Sequence, residues 1–285
     1  MDFKNILQEI EKADPEVYEK LSGRRHILKS FGSKVALAAL PLAIGSMFKK
    51  AYGKTTDASS VIAALNFALE LEYFEFNFYH TANNTGGLIP AGDQPGFAMV
   101  EAQEREHVNF LTTTITALGG TPYVPGNYNY STNNPYVPTS YDFTAGGTYH
   151  AFESYSTFLI LAQTFEDTGV RAYNGQIPSL IGNSAITQAM QISTVEGRHA
   201  SFVRLIRRQA GASEQPRPWI TNNIPPYIPL QAAYVGEDNV IQRGLDLTTI
   251  VGFNGVNVSE ASASAAFDEP MDMATVKSLI APFML

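Results

Sequence analysis

From residue 58 to residue 80, apolar side chains recur at helical intervals, with Leu65, Leu69, Phe76 and Tyr79 on one face. This is the 3.6-residue period of an amphipathic helix. A loop rich in Gly, Asn and Pro (NNTGGLIPAGDQPG) follows, then a second helical pattern from about Phe97 to Leu118 that stops at Gly119-Gly120, as a C-terminal glycine signal predicts. The next stretch, TPYVPGNYNYSTNNPYVPTSYDFTAGG, is full of turn residues and tyrosines and has no helical period. A third helix is predicted over Thr148 to Tyr173, and a short connection (NGQIPSLIGN) leads to a fourth over about 184 to 210. Short links within each pair and one long link between the pairs predict an all-α, crossover four-helix bundle across residues 54–210. Residues 211–285 are Pro-rich and then mixed, with a short helix expected after AFDEP. They read as an extension wrapped on the bundle, not as a separate catalytic domain.

Each apolar stripe is interrupted by charge. In the fourth helix Ala185, Ala189, Ile192, Val203 and Ile206 share a face, and the middle of that face is Glu196 and His199. In the second, Val100, Leu111, Ile115 and Leu118 line up with Glu104 and His107. The first stripe passes through Glu72; the third (Tyr155, Leu159, Ala162, Val170, Tyr173) passes through Glu166. In a Glu-x-x-His pair, three residues make nearly one helical turn, so both side chains project from one face toward the same cation.

Four carboxylates buried together are costly, because each isolated charge loses its hydration and like charges repel. Two divalent cations would balance them, with neutral imidazoles completing an O/N ligand set suited to iron or manganese. The expected metal residues are therefore Glu72, Glu104, His107, Glu166, Glu196 and His199, holding two Fe or two Mn ions. The other reading is a core of hydrogen-bonded polar groups. Glu75, one turn from Glu72, reads as part of a solvated face, with an alternate ligand or a neighbour of the ligands as the other option. Glu70, Glu101, Glu106 and Asp167 lie off the stripes and read as surface charge, Glu153 is ambiguous, and His80 and His150 read as capping or surface residues. Tyr79 and Tyr173 fall on core stripes, where packing is the first expectation and a hydrogen bond to a ligand the second.

Charge changes the picture at the N-terminus. The net charge of −8 and the absence of cysteine exclude a nucleic-acid surface, disulfides and thiolate metal sites. Yet residues 1–53 hold nine Lys+Arg against six Asp+Glu, leaving 10 against 21 from Lys54 onward. Arg24-Arg25 open the sequence RRHILK, and a mostly apolar run from Val35 to Phe48 follows. That run is short for a membrane span, which takes about 20 residues. The pattern resembles a twin-arginine export signal ending near Gly53, with an amphipathic N-terminal helix as the other reading. The expected location is periplasmic, with no membrane span in the mature chain.

The segments ALNFALELEYFEFNFY, EREHVNFL, FEDTGVRAY, VEGRHASF and AFDEPM resemble the ferritin-like superfamily, and within it the ferritin-like domain proteins that include exported bacterial members and plant desiccation-related proteins. The resemblance implies ligand glutamates at Glu72 and Glu166, Glu-x-x-His ligands at Glu104/His107 and Glu196/His199, and a tyrosine seven residues after the first ligand, at Tyr79. It implies no single activity, since the superfamily includes iron-oxidising storage proteins, peroxide-reducing rubrerythrins, manganese catalases and oxygenases. The expectation is a dinuclear centre reacting with dioxygen or peroxide, with Glu104 and Glu196 bridging and a second copy of the chain as a candidate partner. The alternative is a structural or stress-protective protein whose metals only brace the fold.

Overall fold

A computed structural model describes residues 57–126, 140–144, 149–252 and 255–285. The twin-arginine motif, the apolar run and the cleavage position lie outside the described residues. Four long helices dominate: α1 (Ala58–Asn84), α2 (Gln94–Ala117), α3 (Tyr155–Leu180) and α4 (Ala185–Gln209). Helix α1 packs along α2 and α3, and α3 packs along α4, so the chain forms the expected all-α bundle with its long crossover between α2 and α3.

The helix ends follow local chemistry. Asp57 caps α1 by accepting from the Ser59 amide, and Ser154 caps α3 by accepting from the Thr157 amide at 3.1 Å. At α2, Pro95 occupies the first turn, where a missing amide costs nothing. The carboxylate of Asp93 there accepts from the Tyr155 hydroxyl at 2.7 Å instead, tying the start of α2 to the start of α3. Helix α3 is displaced from its expected bounds of 148–173. It starts later, because His150 takes a left-handed φ of 46° and the cap is Ser154. It ends later because Pro178 is accommodated in its last turns, which absorbs most of the connection read from NGQIPSLIGN. Leu118, expected on the core stripe, lies just past the end of α2 and is exposed.

The largest departure from simple amphipathicity is that α1 and α3 are buried nearly all round through their centres, as a helix enclosed on every side should be. The outer cover comes from residues 140–143 and from the C-terminal extension. Phe74 of α1 meets Tyr141, Phe143, Phe165 and Phe283 with ring centroids between 4.8 and 5.9 Å. The extension contains a 3₁₀ turn (Ile228–Tyr234), a two-strand hairpin (β1, Ile241–Gln242; β2, Leu245–Asp246), and the short helices α5 (Glu260–Ser264) and α6 (Met273–Ile280). Helix α6 is the one expected after AFDEP, and Met271, Val276, Ile280 and Phe283 join the core of the bundle.

Buried cations fasten this cover. Arg171 of α3 pairs with Glu237 at 2.7 Å and donates to the carbonyls of Ala233, Val235 and Glu269. Arg204 of α4 grips Asp167 through two bonds of 3.0 and 2.5 Å, and Tyr234 donates to the same carboxylate. At Gly175 a side chain is impossible, since a Cβ would lie 1.9 Å from the carbonyl oxygen of Met271. No helix among the described residues is long and apolar enough to cross a membrane.

Candidate metal centre

The four stripe interruptions meet at the middle of the bundle. Their ligand atoms fall into two overlapping groups, Glu72/Glu104/His107/Glu196 and Glu104/Glu166/Glu196/His199. Within each group, one atom from every residue lies within 4.8 Å of all the others. Glu104 and Glu196 belong to both. The Nδ1 atom of His107 faces Glu72 Oε2 at 3.0 Å, Glu104 Oε2 at 3.1 Å and Glu196 Oε1 at 3.3 Å. That of His199 faces Glu104 Oε1 at 2.7 Å, Glu166 Oε2 at 3.5 Å and Glu196 Oε2 at 3.9 Å. Each shared glutamate therefore turns one oxygen toward each imidazole.

All four carboxylates are fully buried, and His107 is the more accessible imidazole at 9% exposure. Glu104 Oε1, Glu166 Oε2, both oxygens of Glu196 and His199 Nδ1 make no well-aligned hydrogen bond and meet one another only in ion-pair contacts across the cluster. Buried polar atoms nearly always make well-aligned hydrogen bonds, so five such atoms converging on one centre form a donor set that could hold a cation. The donor set, carboxylate oxygen and imidazole nitrogen, fits a first-row divalent metal.

Electrostatics describe the same strain. Burial raises the Glu72 carboxyl to about 7, with His107 opposing part of the rise. Glu196 is pushed well above the usual range by burial and by Glu104 and Glu72, and Glu166 is raised by burial against the pull of His199. Glu104 goes the other way: burial is outweighed by the His199 charge and the His107 hydrogen bond, leaving it at about 2. Burial would deprotonate His199, but Glu166 and Glu104 hold it up to about 11, and Glu72 and its neighbours raise His107 further. With no metal, the imidazoles serve as the cations of the cluster.

The orientation of the ligands is set by residues behind them. Tyr79 of α1 donates to Glu166 Oε1 at 2.5 Å, and Tyr173 of α3 donates to Glu72 Oε1. Each tyrosine stands seven residues after one glutamate and holds the glutamate of the opposite helix, leaving that glutamate's other oxygen facing inward. Burial keeps both phenols protonated by raising them well above the ordinary tyrosine range. Packing was the first expectation for these tyrosines; what they make is a hydrogen bond to an expected ligand, Glu166 or Glu72. His199 Nε2 donates to Gln103 Oε1 at 2.6 Å, which turns the Nδ1 atom toward the cluster. Gln103 went unread in the sequence, where only its place beside Glu104 hinted at it.

Two surface assignments are corrected. Glu75 is 3% exposed, because the C-terminal extension covers the face of α1 that was read as solvated. Asp167 is buried for the same reason and neutralised by Arg204. Glu101 is partly buried and accepts from His80 and Asn83, and Glu70, only 13% exposed, pairs with Lys277. Glu106 is exposed, as expected of surface charge; the half-buried His150 pairs with Glu153, the ambiguous acid, which is exposed.

A bundle in which four helices each send a carboxylate inward, two of them with a histidine one turn on, defines the helical-bundle proteins with an internal cluster that could hold metal. A family model for the ferritin-like domain matches residues 60–209. That is more than half of the chain, and the chain belongs to this family. None of the curated proteins matches it.

Proposed function

We propose that this chain holds two iron or two manganese ions and reacts with dioxygen or peroxide, as a ferroxidase-like or peroxide-removing protein. The observation that carries the reading is the set of five buried donor atoms that converge on the cluster and make no well-aligned hydrogen bond. Glu104 and Glu196 would be shared by the two ions, since each belongs to both groups and turns one oxygen toward each imidazole. Glu72 and Glu166 would each serve one ion, and His107 and His199 would supply one imidazole each. Four carboxylates balance two divalent ions. When bound, such ions supply one-electron changes between +2 and +3 and a Lewis-acidic face.

The chain's own groups provide the rest. Tyr79 and Tyr173 hold the terminal glutamates, Gln103 orients His199, and the aromatic shell excludes bulk water. Access is on the His107 side, by a groove of about 220 Å³ lined by Phe110, Gln188, Gln191, Ile192 and Val195. Apart from His107 this lining is apolar or amide, which suits a small uncharged molecule such as dioxygen or hydrogen peroxide.

Elemental analysis of purified protein, followed by anaerobic Fe(II) loading and exposure to air, tests the reading. Two ions per chain and oxidation faster than in buffer are expected. Two ions bound without faster oxidation would leave the metals a brace for the bundle, and no metal at all would remove the reading. Export belongs to the same proposal: replacing Arg24-Arg25 by Lys-Lys should leave the protein in the cytoplasm, read by cell fractionation, and unchanged partition would reject the twin-arginine route.

A further inference from the structure

The two halves of the bundle repeat one plan, Glu72 with Tyr79 in α1 and Glu166 with Tyr173 in α3, and they differ at one telling position. Three residues after Glu72 stands Glu75, and three residues after Glu166 stands Gly169. The glycine makes room for the extra carboxylate. A Cβ at position 169 would lie 3.1 Å from Glu75 Oε1 and 3.3 Å from Glu196 Oε2. Glu75 and Glu196 thus flank the same small gap, on the side where Glu196 turns its Oε2 atom toward His199.

Nothing behind Glu75 accounts for a buried acid. The pocket at its back is lined by Leu71, Phe74, Leu279 and Phe283, with Thr164 and Thr168 as the hydroxyls. Both hydroxyls are committed to carbonyls of their own helix, Thr164 to Ile160 at 2.9 Å and Thr168 to Thr164 at 2.7 Å. The carboxyl, 3% exposed, makes no hydrogen bond to another described residue. A buried carboxylate needs a partner, and the open direction is the gap beside Gly169.

We propose that Glu75 is a seventh ligand residue of the centre, joining the ion held by Glu104, Glu166, Glu196 and His199 through the gap that Gly169 leaves. This rests on the dinuclear reading above. It makes the two ions unequal: the ion beside His199 gains a carboxylate that its counterpart beside His107 lacks, and binds more tightly.

Anaerobic Co(II) titration of the full metal-free chain, followed by visible absorption, tests this. The wild type should take up two ions in two steps. Glu75→Gln should weaken the tighter step at least about tenfold and alter its absorption bands, leaving the weaker step in place. Glu75→Asp keeps the charge but loses reach, and should show the same loss. Gly169→Ala, which fills the gap and keeps the carboxylate, should do likewise, and it stands in if either Glu75 variant fails to fold by circular dichroism. Wild-type affinities within about twofold and a wild-type spectrum in the variants would overturn the proposal, as would an Asp variant that behaves as wild type while the Gln variant does not. A wild-type chain that binds no Co(II) would instead overturn the dinuclear reading itself.

Discussion

Metal loading at pH 7 should expel protons, and the geometry says how many. Without metal, His107 and His199 are both held protonated by the carboxylates around them. Glu104 is ionised, Glu72 titrates at about 7, and Glu166 and Glu196 are raised by burial. Burial and opposite charge divide the cluster in this way: two imidazolium charges face Glu104 and the other carboxylates, and Glu196, pushed well above its usual range, keeps its proton. Two divalent ions reverse the arrangement, because imidazole must be neutral and carboxylate ionised to ligate. Each histidine then gives up one proton and Glu196 another, and Glu75, which burial also raises well above its usual range, adds one where it ligates, for about three to four per chain. The sign follows, since protons and metal compete, so affinity falls as pH falls. With about three to four protons coupled, affinity for the ion pair changes by about 4–5 kcal/mol per pH unit near neutrality. Anaerobic addition of Mn(II) to unbuffered protein with a pH indicator measures the release directly. Calorimetry in two buffers of different ionisation enthalpy checks it. Uptake of two ions with release of about one proton or none would refute the protonation pattern, and with it the claim that the imidazoles are the cations of the metal-free cluster.

Three further substitutions separate the parts of the structure. Tyr79→Phe frees Glu166 and should weaken the ion beside His199 about tenfold, while Tyr173→Phe frees Glu72 and should weaken the ion beside His107 by a similar factor, both read by chelator competition. If either change affects the other ion instead, the crosswise hydrogen bonds are not what orients the glutamates. Gly175→Ala forces a Cβ against the Met271 carbonyl, so the thermal midpoint should fall and proteolysis within residues 211–285 should accelerate; an unchanged midpoint would contradict that packing. Arg204→Met leaves Asp167 buried with only Tyr234 as partner, a loss of about 3–5 kcal/mol visible as a lower urea midpoint, and a loss below about 1 kcal/mol would mean the carboxylate finds water.

What could be read from sequence, and what could not, divides along the faces of the helices. An inward charged residue betrays itself by interrupting an apolar stripe, and Glu72, Glu104, His107, Glu166, Glu196 and His199 all do so; the structure brings every one of them to a single centre that could hold metal. The crossover topology was legible for a related reason, since link length alone separates paired helices from distant ones. Periodicity is silent about the opposite face of the same helices. Whether Glu75 and Asp167 meet solvent depends on residues some 60 to 210 positions away, such as Tyr234 and Phe283, and no local signal in α1 or α3 announces that cover. The boundary of α3 failed for a different reason: Ser154 is an ordinary cap signal, but it competes with a run of turn residues before it, and a proline two residues from the helix end reads as a stop even where packing allows it to be carried. The most informative difference, Glu75 against Gly169, is written plainly in the sequence yet has no meaning there. It acquires one only when α1 and α3 are laid against each other, because a glycine's missing side chain says nothing until the atom it makes room for is known.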